Sequence, residues 1–529
     1  MTTPQQYNLS HSQFRPHQLE SIEWCLNNTG TLVVAAPTGS GKTAYAAATS
    51  SQKSVIVLCR TKNLQAENYG RLYNAEVLYG RGNYECIHPD NHGVMCDECI
   101  YADTSMHKCE FANGCKYLIA KARAKASPFA SLNYWYFLTA QWPREEGACQ
   151  YLFLDEAHQL SDIVLDFAGC TITEKQRVEW DLPEFPIIKG GGGWKLRGEN
   201  PVEDAQDWLQ KGRDRLARLY VTARQSWDSN LMKRVERLGG KISRCLDAIK
   251  TCPDDWFIRS GRSALKFGRE ERPGFVCKPL TARHHFPGYF LDGHTTVAMS
   301  ATIGKPETFS EELGIRDYNY RAVPNQWPAD KRQVHLLDVP SMGRSACKKE
   351  PRNFDYQADA IARAIKSCDP GWSGLIHVTR KIEARLLADR LARRGLQNRI
   401  WVMPGVDGNY VPTNEQVRRW KMRKRKVPNS ICLSWSLWEG YDGLDEQIDI
   451  VAKVPFPFIG DEYEKERLHY SGRFFLQRTA QQLCQGLGRT RRGRPQDYGE
   501  ENGFVAVADG SVNRVLAYVS EDVREAVIS

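Results

Sequence analysis

Short apolar runs that end in polar or glycine-rich turns recur along this chain. Leu32-Val33-Val34-Ala35-Ala36 has the length and β-branching of a buried strand and runs into Pro37-Thr38-Gly39-Ser40-Gly41-Lys42-Thr43. An alanine-rich stretch, Ala44 to Ala48, then suits a helix. A second run at 54–58 ends in Cys59-Arg60-Thr61-Lys62. Tyr151-Leu152-Phe153-Leu154 ends in Asp155-Glu156-Ala157-His158, and the run at 295–299 ends in Ser300-Ala301-Thr302. From about residue 304 the pattern predicts further strands at 375–378, 400–403, 431–434, 448–452 and 504–508, with helical periodicity between them. Strands alternating with helices predict an α/β chain built on parallel sheets, whose ligands bind where the strands end. The expected division is a first unit over 1–303 and a second over 304–529.

Two stretches break the first unit. Residues 80–120 lose apolar periodicity and carry Cys86, Cys96, Cys99, Cys109 and Cys115. Residues 165–271 read as largely helical, with apolar spacing at Leu209, Leu216, Leu219 and Val221 and a glycine run at 190–193. Both are read as insertions.

Composition narrows the class. At 529 residues, 41% hydrophobic and 26% charged, the chain is of soluble globular type with several domains. It has no apolar run of roughly 18 residues, so no membrane span is expected. The first residues lack the apolar segment of a secretory signal, and the reading is cytoplasmic. A net charge of +9 suits a polyanionic partner but is too modest for a purely electrostatic nucleic-acid coat. Sixteen cysteines, five of them clustered, point in a cytosolic protein to metal rather than disulfides. Thiolates are soft ligands, and spacing alone admits zinc or iron–sulfur.

The turns carry the chemistry. Strand, glycine-rich turn, Lys-Thr and helix form a P-loop, in which Thr38, Gly39, Ser40 and Gly41 wrap phosphates with backbone N–H groups. Lys42 would reach the β and γ phosphates and Thr43 would hold Mg²⁺. Asp155 would bind the same Mg²⁺ and Glu156 would orient an attacking water. Gln18, in an Arg-x-x-Gln ahead of the first strand, has an amide that can pair with the edge of adenine and favour ATP. Thr61 and Lys62 fall at a strand end and could take a nucleic-acid backbone phosphate. The basic run 418–426 reads as a solvated helix face.

The order P-loop, Thr-Lys strand end, DEAH, Ser-Ala-Thr and second α/β unit resembles a superfamily-two helicase. The second unit adds Gln485-Gly486-Leu487-Gly488-Arg489-Thr490-Arg491-Arg492, similar to the family's motif VI. Trp438-Glu439-Gly440-Tyr441-Asp442 resembles motif V, and Lys453-Val454-Pro455-Phe456-Pro457 is similar to the segment that follows it. The cysteine-rich insertion before DEAH and the helical insertion after it resemble the XPD/DinG branch of iron–sulfur DNA helicases, particularly the compact members of phages and some bacteria. Cys86 and Cys115 sit where that branch places its first and last cluster ligands.

The resemblance implies two RecA-like motor domains, with an iron–sulfur insertion and a helical arch-like insertion in the first. It implies a [4Fe–4S] cluster on Cys86, Cys99, Cys109 and Cys115, with Cys96 as the alternative to Cys99. It implies that Lys42, Asp155 and Glu156 meet Gln485, Arg489 and Arg492 across closed motors, with Asp442 coupling closure to the strand. The implied activity is ATP-driven 5′→3′ translocation on single-stranded DNA and opening of forked DNA by a monomeric motor. The strand would cross both units, touching Thr61, Lys62 and Thr379 and stacking on Tyr134 and Trp435. An RNA helicase or double-strand translocase with the same motor is the alternative, and a metal-stabilised nucleic-acid-binding scaffold a further one.

Overall fold

A computed structural model describes residues 2–89, 93–99, 109–186, 201–226, 228–267, 270–405, 409, 411–438, 446–488 and 503–528. The first parallel sheet begins with β1 (Thr31–Ala35), β2 (Val55–Cys59), β3 (Glu76–Val77), β4 (Phe129–Asn133) and β5 (Tyr151–Asp155). An inserted antiparallel sheet follows, with β6 (Cys170–Thr173), β7 (Trp256–Phe267) and β8 (Glu270–Pro279). β9 (Thr295–Ser300) and β10 (Asn319–Ala322) then complete the first sheet, in the order β10-β1-β9-β5-β2-β4-β3. The second sheet uses β11 (Val334–Leu336), β12 (Gly374–His377), β13 (Ile400–Val402), β14 (Ile431–Ser434), β15 (Ile448–Val451), β16 (Phe504–Val507) and β17 (Val527–Ile528). Its order is β13-β14-β12-β15-β16-β11-β17, and the neighbouring pairs in both large sheets are parallel. These are the two parallel-sheet α/β units of a RecA-like pair of motors.

Continuous apolar runs form these strands because both faces of each sheet are covered. In the first unit Val33, Leu152, Leu154 and Ala298 face one core, while Leu32, Val34, Phe153 and Val297 face the other. Both faces are mostly apolar along the strands, and Ser300 and Asp155 stand at the sheet's carboxyl edge.

Two boundaries differ from the sequence reading. β10 pairs with β1, so the first sheet takes in residues beyond 303. Asn319 to Ala322 form a half-exposed edge strand with a single neighbour, and lack the apolar signature of a central one. The second insertion is also less helical than its periodicity implies. Helices Pro201–Gln225 and Ser229–Thr251 pack together, but on a sheet that runs on to Pro279. Phe275 and Cys277 on β8 join Leu209, Leu216, Ile242 and Leu246 in one core. Leu209 and Leu216 are buried as the spacing requires, whereas Val221 is 54% exposed.

The units are fastened by buried polar contacts as well as apolar ones. Helices Glu462–Tyr470 and Gly472–Leu487 of the second unit lie against the first. Buried Arg467 donates to Glu312 (2.9 Å) and approaches Asp162 (3.5 Å), while Arg478 pairs with Asp162 (3.2 Å) and Glu464 (2.8 Å). Gln477 and Gln481 donate to the carbonyl of Ile303 at 2.6 and 3.1 Å. The helical insertion joins the same interface, since Tyr463 donates to the Pro279 carbonyl (2.7 Å) and Tyr470 to Asp255 (2.8 Å). It also touches the cysteine-rich insertion, where Lys233 bridges Asp97 (2.9 Å) and Glu98 (2.7 Å).

Burial pushes the Glu312 carboxyl above the usual carboxylate range, and Arg467 opposes the shift. Arg467→Met would leave that carboxylate without its cation. The expected loss is roughly 3–5 kcal/mol of unfolding free energy, read from chemical denaturation. Pairing it with Glu312→Leu should recover most of the loss. A single variant as stable as the parent would contradict this account of the interface.

Candidate functional site

Register assembles the site. β9 lies between β1 and β5, with Ala35 opposite Ser300 and Asp155 opposite Met299. The strands therefore deliver the P-loop, Ser300–Thr302 and Asp155–His158 side by side at one edge. The Ala36 N–H donates to the Ser300 carbonyl at 2.9 Å, which extends the pairing into the P-loop.

Gly39 and Gly41 adopt φ of +90° and +82°, a region that favours glycine. A Cβ on Gly41 would stand 2.3 Å from Gln18 Nε2. Gln18 is buried, with its amide donating to the Gly41 carbonyl (3.2 Å) and accepting the Arg15 N–H (3.0 Å). The Arg15 guanidinium and the Gln326 amide both donate to the Gly39 carbonyl. Gln18 is thus a brace behind the turn in this structure, and its amide faces the loop rather than open space. Lys42 donates to the Ala36 carbonyl (3.0 Å), and Thr43 opens helix Thr43–Thr49. Ser40 is buried. Thr38 lines a cleft with Ala301 and Thr302 of the first unit and Gln485 and Gly488 of the second.

Asp155 ends β5 in a buried setting. It accepts the Tyr69 hydroxyl (2.9 Å) and the Glu156 N–H (2.9 Å). Burial first, and the neighbouring Glu156 second, push its carboxyl up to about 6, against the pull of Lys42. Glu156 itself sits at φ +54°, strained for a residue with a side chain. It lies 3.3 Å from His158, whose Nδ1 meets the Ser300 hydroxyl at 2.9 Å. Ser300 Oγ accepts the Thr302 N–H (3.1 Å), and Thr302 Oγ1 accepts Gln485 Nε2 (3.0 Å). A continuous polar chain thus runs from the acidic turn of the first unit to the last helix turn before residue 489 of the second.

Of the predicted residues, Lys42, Thr43, Asp155, Glu156 and Gln485 converge on this region. Arg489, Arg492, Asp442 and Glu439 lie outside the described residues. Tyr134 is 1% exposed and donates to the Asp155 carbonyl at 2.6 Å, so it is a core residue and cannot stack on a base. Its position one residue after β4 turns it inward under the acidic turn. Trp435 is half-buried, with the Lys381 ammonium 5.6 Å from its ring centre. Thr61 and Lys62 are exposed at the end of β2, and Thr379 follows β12 and donates to Glu383 (2.8 Å). In the basic run, Arg418 and Arg419 pair with Glu415, while Trp420 is buried.

The five clustered cysteines open onto one small apolar cavity, with Phe111 and Leu118 beside them. An antiparallel bridge between Glu85 and Met95 brings Cys86 towards Cys96, and Cys115 caps helix Lys116–Ala126. Burial, with Cys115 and Cys99 close by, pushes the Cys96 thiol up to about 12. Among the described residues no group of three or more His, Cys, Asp or Glu side chains is disposed to hold a single metal ion. A polynuclear cluster makes a different demand, because each thiolate binds its own iron. All five cysteines line the one cavity, and their thiols are of the chemical type that such a cluster takes as ligands.

Sequence reasoning missed Tyr69 and Gln326. Tyr69 lies in the helical segment Leu64–Arg71 with no motif around it, and Gln326 belongs to the stretch joining the two sheets. Neither carries a local signal, since each acts across a long gap in sequence.

Residues 15–173 match the DEAD/DEAH box helicase family. The chain is 23% identical over 434 residues to the ATP-dependent DNA helicase YoaA of Haemophilus influenzae, covering 62% of this chain. That alignment covers 66% of the relative's length, just under two thirds. In fold, the chain is similar to Xpd4 of S. tokodaii, with a TM-score of 0.55 and 13% identity over 97% of this chain and 100% of the other. Among the described residues no helix is long and apolar enough to cross a membrane. Residues 15–173 thus match a DEAD/DEAH box helicase domain, and over 97% of its length the chain has a fold similar to that of Xpd4.

Proposed function

We propose that this protein is an ATP-dependent DNA helicase that translocates 5′→3′ on single-stranded DNA and opens forked duplexes as a cytoplasmic, monomeric motor. The observation that carries this reading is the polar chain from Glu156 through His158, Ser300 and Thr302 to Gln485. Such a contact links the acidic turn beside a nucleotide held by the first unit to the second unit, alongside any direct contact from the second unit's arginines. Lys42 and the amides of Gly39 to Thr43 bind the phosphates, and the buried Asp155 and the half-buried Thr43 side chains would hold Mg²⁺, which neutralises phosphate charge when bound. Glu156 orients the attacking water, and Gln485 stands beside it. Arg489 and Arg492 follow on the same segment and are assigned to the γ-phosphate for the charge and planar fork of arginine. Asp442 is assigned to couple closure to the strand.

We assign to the cysteine cavity a [4Fe–4S] cluster on Cys86, Cys99, Cys109 and Cys115, with Cys96 in place of Cys99 as the alternative, and the convergence of the five cysteines on one cavity supports this reading. When bound, such a cluster would cross-link an insertion whose described residues ahead of helix Lys116–Ala126 form short helical turns and one isolated bridge. Its contact with the helical insertion at Lys233 supports a shared strand passage between the two.

Three outcomes are expected. Wild-type protein should hydrolyse ATP faster with single strands present and displace a strand from forked DNA only with a 5′ tail. Lys42→Ala should abolish both, and wild-type turnover in that variant would falsify the motor assignment. RNA substrates or the opposite tail in the same assay test the RNA-helicase alternative and the polarity. Ser300→Ala should interrupt the polar chain. Strand-stimulated turnover should then fall about tenfold, while strand-free turnover and the KM for ATP change little; an equal fall in both would assign Ser300 to the chemistry itself. Anaerobically prepared protein should be brown and contain about four iron and four sulfide per chain. Cys99→Ser should lose iron and Cys96→Ser retain it, the reverse would exchange their roles, and a colourless protein with one zinc would reject the cluster.

A further inference from the structure

Tyr69 lies outside both turns of the candidate site, yet its hydroxyl reaches Asp155 Oδ2 at 2.9 Å. It belongs to the helical segment Leu64–Arg71, which follows β2, while Asp155 ends β5, a neighbour of β2 in the sheet. The segment is π-helical, and Gln65 and Tyr69 are its two buried residues. Turns of this width are rare and are found mostly at functional sites.

The segment is held where Tyr69 needs it. Gln65 donates to the Ser131 carbonyl on β4 at 3.2 Å. Gly70 packs so closely on β3 that a Cβ there would stand 2.8 Å from Val77 Cγ2. The Tyr69 ring meets Phe129 of β4 edge to face, with ring centres 6.3 Å apart. Phenylalanine would fill the same buried space, so it is the hydroxyl that calls for a physical reason.

The two oxygens of Asp155 have different partners. Oδ1 accepts the Glu156 N–H (2.9 Å), a local bond that comes with the strained turn. The torsion that turns a carboxylate plane has no sharp minima, so one local bond leaves that plane loosely defined. The bond from Tyr69 to Oδ2 defines it. Tyr134 restrains a different atom, because its hydroxyl donates to the Asp155 main-chain carbonyl (2.6 Å) and fixes the backbone rather than the carboxylate. Two buried tyrosines thus grip one aspartate at separate points. The Asp155 carboxylate and the Thr43 hydroxyl are hard oxygen donors of the kind Mg²⁺ takes. A carboxylate binds a cation best when another group already orients it, and removing that group costs about tenfold or more in affinity.

We propose that Tyr69 is a positioning residue for Mg²⁺ binding: its hydroxyl holds the Asp155 carboxylate in one orientation before ion and nucleotide arrive. The inference rests on the helicase reading, which assigns Mg²⁺ to Asp155 and Thr43, and it adds a determinant that no motif marks. Tyr69 acts only through Asp155 and itself touches neither ion nor nucleotide.

The test compares full-length wild type with Tyr69→Phe and Tyr134→Phe, each of which deletes one buried hydroxyl bonded to Asp155. The melting temperature is followed with a saturating non-hydrolysable ATP analogue while Mg²⁺ is titrated. Tyr69→Phe should raise the Mg²⁺ concentration at half-maximal protection about tenfold. Tyr134→Phe should lower the melting temperature and keep the wild-type midpoint. In ATP hydrolysis, the deficit of Tyr69→Phe should shrink as Mg²⁺ is raised. Without ion or nucleotide, peptides covering 153–159 should exchange amide hydrogens faster in Tyr69→Phe than in wild type. If Tyr69→Phe keeps the wild-type midpoint, the inference falls and the helicase reading stands. If Tyr134→Phe raises the midpoint as much as Tyr69→Phe, the cause is a general loosening of the core and the inference also falls. If Mg²⁺ and the analogue fail to protect wild type at all, the nucleotide-driven reading falls and takes this inference with it.

Discussion

The hydrogen bond from Gln485 to Thr302 is the contact on which the account rests, because it joins the turn after β9 in one unit to the end of helix Gly472–Leu487 in the other. Its position follows from strand order. Ser300 and Thr302 follow β9, which is flanked by the P-loop strand and the Asp155 strand, so a signal from either neighbour reaches them within one strand spacing. Helix Gly472–Leu487 is held in place upstream by Gln477 and Gln481 on the Ile303 carbonyl and by the buried Arg467–Glu312 pair. The two glutamines fix this helix about one and two turns before Gln485, and Arg467 anchors the helix that precedes it.

The same interface explains why the insertions matter to the motor. Tyr463 and Tyr470 bind the helical insertion, and Lys233 within that insertion binds Asp97 and Glu98 beside the cysteines. These contacts connect the second unit to the helical insertion and, through it, to the cysteine-rich one. Buried ion pairs suit such a joint: they contribute little net stability, but they resist any register in which a charge is stranded.

Much of this architecture was legible in the sequence because it rests on local rules. β1, β5, β9, β12 and β14 are continuous apolar runs, since each lies inside a sheet covered on both faces. β10 escaped because an edge strand such as Asn319–Ala322 has no need of that signature, and β7 and β8 escaped because their surroundings read as helix. The candidate site was legible as the glycine-rich turn with Lys42 and the acidic turn with Asp155, which the structure brings to one sheet edge. The parts that were not legible are tertiary. Tyr69, Gln326 and Asp509 each reach a partner far along the chain, and Tyr134 looked like an available aromatic until β4 turned it into the core.

The central claim is that nucleotide at the P-loop acts on the second unit through Ser300, Thr302 and Gln485. Amide hydrogen exchange, measured with and without a non-hydrolysable ATP analogue, reads this directly. The account predicts that peptides covering 300–305 and 477–488 gain protection together with the P-loop. Protection confined to the P-loop, with the 477–488 helix unchanged, would contradict it.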